Sequence, residues 1–341
     1  MSATPPVARR SRRGSGGITL NDVARLAGVA PITASRALNT PSQVSPEVLE
    51  RVREAVQRTG YVPNRLAGGL ASARSRLVAA VVPTITGPVF MPTMKSLTEE
   101  LAARGYQLML GQSGYAESRE DALLEAIIGR RPDGIVLTGI VHSERGQRQL
   151  RASGIPVVET WDLTPTPIDM LVGFSHAAVG REVAAFLHRR GRRRVAVLAG
   201  DDERSRRRQQ AFEEAARALW REPPACVLVP APTTLRAGRT ALGPLLAQGV
   251  DAVFCSSDLL ALGVITEAQV RGLAVPAQLA VVGFGDLEFA ADVHPALTTV
   301  RIDGAAMGRH AARFVVDRAE GRDVGERVVD VGFSIVERAS A

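Results

Sequence analysis

The sequence predicts a chain of two unlike parts: a small all-α head, then an α/β body made of two doubly wound parallel-sheet subdomains. Three observations predict it. First, the net charge of +7 on 341 residues is lopsided. Residues 1–76 hold twelve arginines against four acids, and the remainder is nearly balanced. Second, residues 19–60 carry three closely spaced helix starts and stops. Third, from residue 77 onward apolar, β-branched runs alternate with amphipathic stretches. The length leaves room for two or three domains and a sizeable core.

Residues 1–17 are rich in Pro, Ser, Gly and Arg and read as a disordered basic tail. Arg9, Arg10, Arg12 and Arg13 can add non-specific phosphate contacts there. The first helix starts at Thr19, with Asp22 three residues on, a capping-box-like start. Ile18 and Val23 fall at staple positions, Leu20, Val23, Ala24 and Ala27 form the apolar stripe, and Gly28 stops the helix. The second opens at Pro31, a favoured first helical residue. Ala34, Ala37 and Leu38 give it a narrow inner face. The third has Ser45 as N-cap and Pro46 behind it. Val48, Val52 and Val56 recur every four residues, and Gly60 ends it. Together, 18–63 form the head and 64–76 (NRLAGGLASARSR) link it to the body.

The body's strand candidates include Leu77–Val82, Gln107–Leu110, Gly134–Leu137, Val157–Glu159, Val195–Leu198, Ala252–Cys255 and Ala280–Gly283. Helical stretches such as Met94–Arg104, Ala178–Arg190 and Gln209–Leu219 lie between them. Such alternation gives parallel sheets covered on both faces, with ligands beyond the carboxyl ends of the strands.

Two short helices joined by Ala27-Gly28-Val29-Ala30 form a helix-turn-helix, whose second helix enters a major groove. Its exposed face offers Thr33, Ser35, Arg36 and Asn39, groups that bond phosphates and base edges. Pro31 and Ile32 have no side-chain donors, so thymine methyls are their available partners. The bland reading, a ligand-free helical bundle, does not account for the coincidence of basic excess and turn.

Residues 18–71 carry DVA-x-x-AGV, T-x-SR-x-LN, VS, GY-x-PN and A-x-x-LA, and here the chain resembles the lactose/galactose-repressor family. The body resembles its gluconate-repressor group through VVPTITGPVF, GYQLML, IPVVETWD, DAVFCSSDLLALG and AVVGFGD. The resemblance implies a hinge helix and a core (77–341) like a periplasmic sugar-binding protein. It puts the N-subdomain at about 77–172 and 302–328, and the C-subdomain at about 173–301 and 329–341. It also implies a homodimer on a pseudo-palindromic double-stranded DNA operator. Thr19 and Asn21 fall where the family meets phosphates, and Pro31, Ile32 and Arg36 where it reads bases. In the hinge, Asn64, Arg65 and Ala67 belong to the DNA-facing set, and Leu70 matches a leucine that wedges into the minor groove. Two departures stand out. Ala30 replaces the usual Ser before the recognition helix, which removes a cap worth roughly 1 kcal/mol. Gly68 and Gly69 each cost a helix about 1 kcal/mol against Ala, so the hinge is expected to order only on operator.

The resemblance places the effector between the subdomains, at Thr84, Phe90, Thr138, Trp161, Phe174, Arg208, Ser257 and Asp286. Arg208 matches the ligand-holding arginine of an R-x-x-G-aromatic pattern, here with Ala211 in place of Gly. Gly285 replaces an Asp of the family pattern beside Asp286. Of Arg204, Arg206, Arg207 and Arg208, only Arg208 is assigned to the cleft, and most of the others read as a solvated helix face. Guanidinium forks suit carboxylate or phosphate, so the effector class is a sugar acid or phosphosugar acid relieving repression. A neutral sugar and corepression stay open as alternatives.

An enzyme on a doubly wound fold is the competing class. No Walker A, HExxH or G-x-S-x-G motif is present, and the five histidines lack metal spacing. No catalytic residue, metal or cofactor is therefore expected. No run approaches 18 apolar residues and the N-terminus has no signal-type apolar stretch. The expectation is a cytoplasmic, nucleoid-associated protein with no membrane partner. No heptad extension follows VVDVGFSIVERA, which favours a dimer over a tethered tetramer.

Overall fold

The computed structural model describes residues 17–62, 74–115, 117–140 and 142–341. The chain packs as two units that divide between Ala73 and Arg74. The first holds α1 (Leu20–Ala27), α2 (Pro31–Asn39), a 3-10 turn (Pro41–Gln43) and α3 (Pro46–Thr59). At the start of α1 the Asp22 carboxylate accepts the Thr19 N–H at 2.9 Å and its hydroxyl at 2.6 Å. Those two bonds hold Asp22 below the usual carboxylate range. The expected staple is open, because Val23 turns inward while Ile18 stays 50% exposed. Gly28, at φ +66°, lets the chain reverse, and the Val29 N–H returns to the Ala24 carbonyl. Ser45 caps α3 through its Oγ, whereas Ala30 caps α2 with backbone alone. Val23, Ala24, Ala27, Ala34, Ala37, Val52 and Ala55 are buried together. Small side chains let three short helices approach closely.

The second unit contains two six-stranded sheets. The first runs β11-β5-β4-β3-β1-β2 and is parallel throughout. Its strands are β1 (Leu77–Val82), β2 (Gln107–Gln112), β3 (Gly134–Thr138), β4 (Val157–Thr160), β5 (Met170–Gly173) and β11 (Val328–Asp330). The second runs β12-β10-β9-β8-β6-β7. It is built from β6 (Val195–Gly200), β7 (Ala225–Val229), β8 (Ala252–Cys255), β9 (Ala280–Phe284), β10 (Thr298–Arg301) and β12 (Ser334–Val336). Only its edge strand β12 is antiparallel. Helices cover both sheets: α4 (Met91–Ala103), α5 (Glu117–Ile128), α6 (Glu144–Ser153), α7 (His176–Arg189), α8 (Glu203–Trp220), α9 (Leu235–Ala247), α10 (Asp258–Val270) and α11 (Gly304–Ala319). Central strands such as β1, β6 and β8 are buried on both faces, which is why they read as unbroken apolar runs.

The chain crosses between sheets after β5, after β10 and after β11. The last crossing corrects the expected break at 328/329. β11 pairs with β5 through Asp330, so the return to the second sheet falls between Asp330 and Ser334. In both sheets the loops after the carboxyl ends of the strands face a common cleft, lined by residues that follow β1, β4, β6, β8 and β9.

Candidate functional site

In the head, α2 buries Ala34 and Ala37 and turns its other side outward. Pro31, Ile32, Arg36 and Asn39 are exposed, and Thr33 and Ser35 half-buried. Thr19 and Asn21 are exposed at the N-terminal end of α1. Ile32 is 60% exposed, an apolar group that the head's own core leaves out. Asn39 donates from Nδ2 to the Ser35 carbonyl at 3.0 Å and to its hydroxyl at 3.3 Å, which fixes both side chains. The hinge calls at Asn64, Arg65, Ala67 and Leu70 lie outside the described residues.

The cleft holds a cavity of about 350 Å³, within the range of small-molecule sites. Thr84, Phe90, Trp161, Arg208 and Ser257 line it. Trp161 sits at φ +69°, a left-handed backbone costly for a bulky residue. It packs edge-on against Phe90, with ring centroids 4.9 Å apart. Its Nε1 is buried without a partner. Gly173 is required behind this loop, since a Cβ there would lie 1.9 Å from the Asp162 carbonyl oxygen. Ser257 caps α10, and its hydroxyl shares a 2.8 Å bond with Thr233.

Arg208 is the centre of the charged wall. Its Nη1 donates to His176 Nδ1 at 2.8 Å. Its Nη2 donates to Ser205 Oγ and the Ser256 carbonyl, both at 3.1 Å. The guanidinium stacks on Phe284 at 3.9 Å, and its Nε is buried without a partner. Burial lowers its pKa to about 10. His176 is wholly buried, and burial, then the Arg208 charge, holds it neutral, well below the usual imidazole range.

Three expected residues lie outside this cavity. Phe174 is fully buried behind it, edge-on to Trp161 and His176, because it follows β5 into the core. Thr138 lines an adjoining cavity of about 280 Å³. It meets the charged wall only through its carbonyl, which accepts from Arg204 Nη1 at 3.3 Å. Asp286 turns away to Arg301 Nε at 2.5 Å and Arg338 Nη2 at 2.8 Å. Gly285, at φ +129°, permits that turn. Asp258, the first residue of α10, is a wholly buried carboxylate outside the cavity lining. It accepts from Thr299 Oγ1 at 2.5 Å and the Leu287 N–H at 2.7 Å, and burial pushes it up to about 6.

Sequence reasoning missed Arg204, which lines both cavities and lies 5.5 Å over the Phe90 ring. The i, i+4 spacing of Arg204 and Arg208 on α8 was the available signal. Arg207 is taken by Asp162 and Glu203, and Arg206 by Asp201. Asp202 caps α8 by accepting from the Ser205 N–H at 3.2 Å. His176 and Tyr115 also line the cavity without having been singled out. His142, another of the scattered histidines, is buried between Glu120 and Glu159. Both ring nitrogens of His176 are engaged, one by Arg208 and one by the Trp161 carbonyl. No described helix is long and apolar enough to cross a membrane.

Residues 19–64 match the family model described as bacterial regulatory proteins, lacI family, and 184–341 match a periplasmic binding protein-like domain. The HTH-type transcriptional regulator GntR of Pseudomonas aeruginosa is 37% identical over 97% of this chain and 98% of its own length. A LacI-family regulator from Silicibacter pomeroyi has a similar structure, with TM-score 0.90 and 30% identity over 95% of this chain and 99% of that one. The Lac repressor dimer bound to operator and anti-inducer shares the fold, with TM-score 0.80 at 22% identity over 95% and 99% of the two chains. These relatives are named as transcriptional regulators. The chain belongs to the LacI family of DNA-binding bacterial transcriptional regulators.

Proposed function

We propose that the protein represses transcription as a homodimer on a pseudo-palindromic operator, and that a small sugar acid in the core cleft releases it. One observation carries the effector class: Arg208 is a buried guanidinium with no carboxylate in ion-pair contact among the described residues. Burying a charge without a counter-ion is costly unless a ligand supplies one. The cavity lining holds Arg204 and Arg208 against Asp202, and His176 is neutral, so the lining carries excess positive charge. The Trp161 and Phe90 rings suit the carbon face of an extended polyol. The same observations support Arg208 as the ligand-holding residue, with Thr84, Phe90, Trp161 and Ser257 around it.

Release requires that the ligand favour one arrangement of the two sheets over another, and that the arrangements support the hinge differently. Operator binding through Thr19, Asn21, Pro31, Ile32, Thr33, Ser35, Arg36 and Asn39 is supported by their exposed or half-buried positions at the start of α1 and along α2. Such a repressor works in the cytoplasm, at the nucleoid.

The test is thermal stability and operator retention against gluconate, 6-phosphogluconate and neutral glucitol. A ligand that binds only the folded state raises Tm with concentration. Gluconate should raise Tm and release operator, with glucitol inert. A response to neutral polyols alone overturns the sugar-acid effector and leaves the regulator.

A further inference from the structure

His176 is wedged between the two walls of the cleft. It begins α7, on the second subdomain, and its Nε2 lies 2.8 Å from the Trp161 carbonyl, at the end of the first sheet. Its Nδ1 lies 2.8 Å from Arg208 Nη1, on α8. The chemistry of the two partners fixes the ring. A guanidinium N–H only donates, so Nδ1 must be the lone-pair nitrogen; a carbonyl only accepts, so Nε2 must carry the hydrogen. One state satisfies both contacts, the neutral Nε2–H tautomer. Any other puts two donors or two acceptors face to face.

We infer that His176 is a positioning residue that aims Arg208 at the effector's acidic group and ties that aim to the Trp161 loop of the opposite subdomain. The inference rests on the proposed sugar-acid reading of the cavity. Arg208 is otherwise held only at Nη2, by Ser205 and Ser256, and by its stack on Phe284. Those contacts hold Nη2 and the face of the fork, and the His176 bond is the one that holds Nη1. The same ring holds the peptide of Trp161, whose left-handed backbone needs outside support. Phe174 packs edge-on to the ring at 4.6 Å and keeps it from turning. The anion's grip and the position of the stacking tryptophan therefore share one anchor. Burial and the arginines of α8 keep that anchor uncharged, as the contacts demand.

Two conservative variants separate the two contacts. His176→Asn places an amide oxygen near Nδ1 and keeps an acceptor for Arg208, while losing the Trp161 bond. His176→Gln places an amide nitrogen near Nε2 and keeps the Trp161 bond, while losing the acceptor. Gluconate titration of the full-length protein, with operator binding as the folding control, reads the difference. The expected result is that His176→Gln weakens gluconate binding about tenfold or more, as for a lost bond to a charged group. His176→Asn should stay within a few-fold of the parent. Equal losses, or the reverse order, overturn the assignment. Nitrogen NMR of ¹⁵N-histidine-labelled, ligand-free protein is the second arm, with the signal assigned by its absence in His176→Asn. It should show a pyrrole-type Nε2 and a pyridine-type Nδ1; an averaged or doubly protonated ring overturns the inference. This arm needs no ligand. A parent protein that ignores gluconate would thus overturn the proposed effector, while the tautomer would still decide the role of His176.

Discussion

Arg208 and Asp258 are both buried charges, and they age differently under substitution. Arg208 has three hydrogen bonds and, among the described residues, no carboxylate in ion-pair contact, so its burial carries a desolvation cost that an anionic ligand would offset. Replacing it with Met should abolish the gluconate response while leaving the ligand-free Tm unchanged or higher, read by differential scanning calorimetry and titration. A drop of several degrees would mean that the guanidinium is structural. Asp258 behaves as a pH-dependent term. Burial lifts its carboxyl to about 6 in the folded protein, against roughly 3.9 in an unfolded chain. The folded state therefore keeps a proton that the unfolded state has lost. Stability from this group is full below about pH 4 and is lost as pH rises to 6, by about 3 kcal/mol in all. Urea unfolding across pH 4–8 should show that fall, and Asp258→Asn should remove it. The Asn variant should start less stable, since one amide end cannot accept from both Thr299 and Leu287. At this scale, legibility followed local pattern. Arg208 was readable from its spacing to Phe212, whereas the loss of Asp286 to Arg301 and Arg338 depends on partners 15 and 52 positions away. No window of sequence contains that choice.

Strands buried on both faces were legible because their apolar runs are uninterrupted, as in Leu77–Val82 and Ala252–Cys255. The edge strand Ala225–Val229 alternates in burial, and Val328–Asp330 and Ser334–Val336 are three residues long, so neither kind announces itself. Helix contacts were illegible for another reason: close approach is a property of two elements. A Cβ on Gly180 would lie 2.3 Å from the Arg208 carbonyl oxygen, where α7 crosses α8. A Cβ on Gly308 would lie 2.1 Å from Ser96 Oγ, where α11 crosses α4. Gly180→Ala and Gly308→Ala should each destabilise by about 1–3 kcal/mol. Only Gly180→Ala pushes on the backbone of Arg208, so it alone should weaken gluconate binding beyond its effect on stability. Equal affinity losses in the two variants would show that the α7–α8 contact does not set the site. In the head, the backbone of Ala30 already has the extended geometry of a cap, at φ −66° and ψ 148°. Ala30→Ser should stabilise α2 by about 1 kcal/mol. Amide exchange at Ala34–Asn39 in the full-length chain should slow roughly fivefold. Unchanged exchange would mean that α2 is held by the alanine core alone.

The charge split organises the whole molecule. In the body, arginines find acids: Arg104 with Glu100 and Asp317, Arg239 and Arg271 with Glu267, Arg322 with Asp317 and Glu320. A body neutralised in this way contributes little to a polyanion's pull. Residues 1–76 carry the excess, twelve arginines against four acids. Salt dependence of DNA binding should therefore be set by the head and its flanks, at about 0.9 in slope for each phosphate neutralised. Two groups of arginines differ in this respect. Arg36 lies on the exposed face of α2, so Arg36→Ala should weaken operator more than unrelated DNA. Arg9, Arg10, Arg12 and Arg13 lie outside the described residues, in a segment with no base-reading pattern. Removing residues 1–13 should weaken operator and non-operator DNA alike and lower both slopes together, with the ratio of the two affinities preserved. Competition titrations at several salt concentrations measure that ratio. A deletion that collapsed the ratio would show that these arginines read sequence or groove shape. The basic tail would then belong to the recognition surface rather than to the electrostatic background against which α2 discriminates.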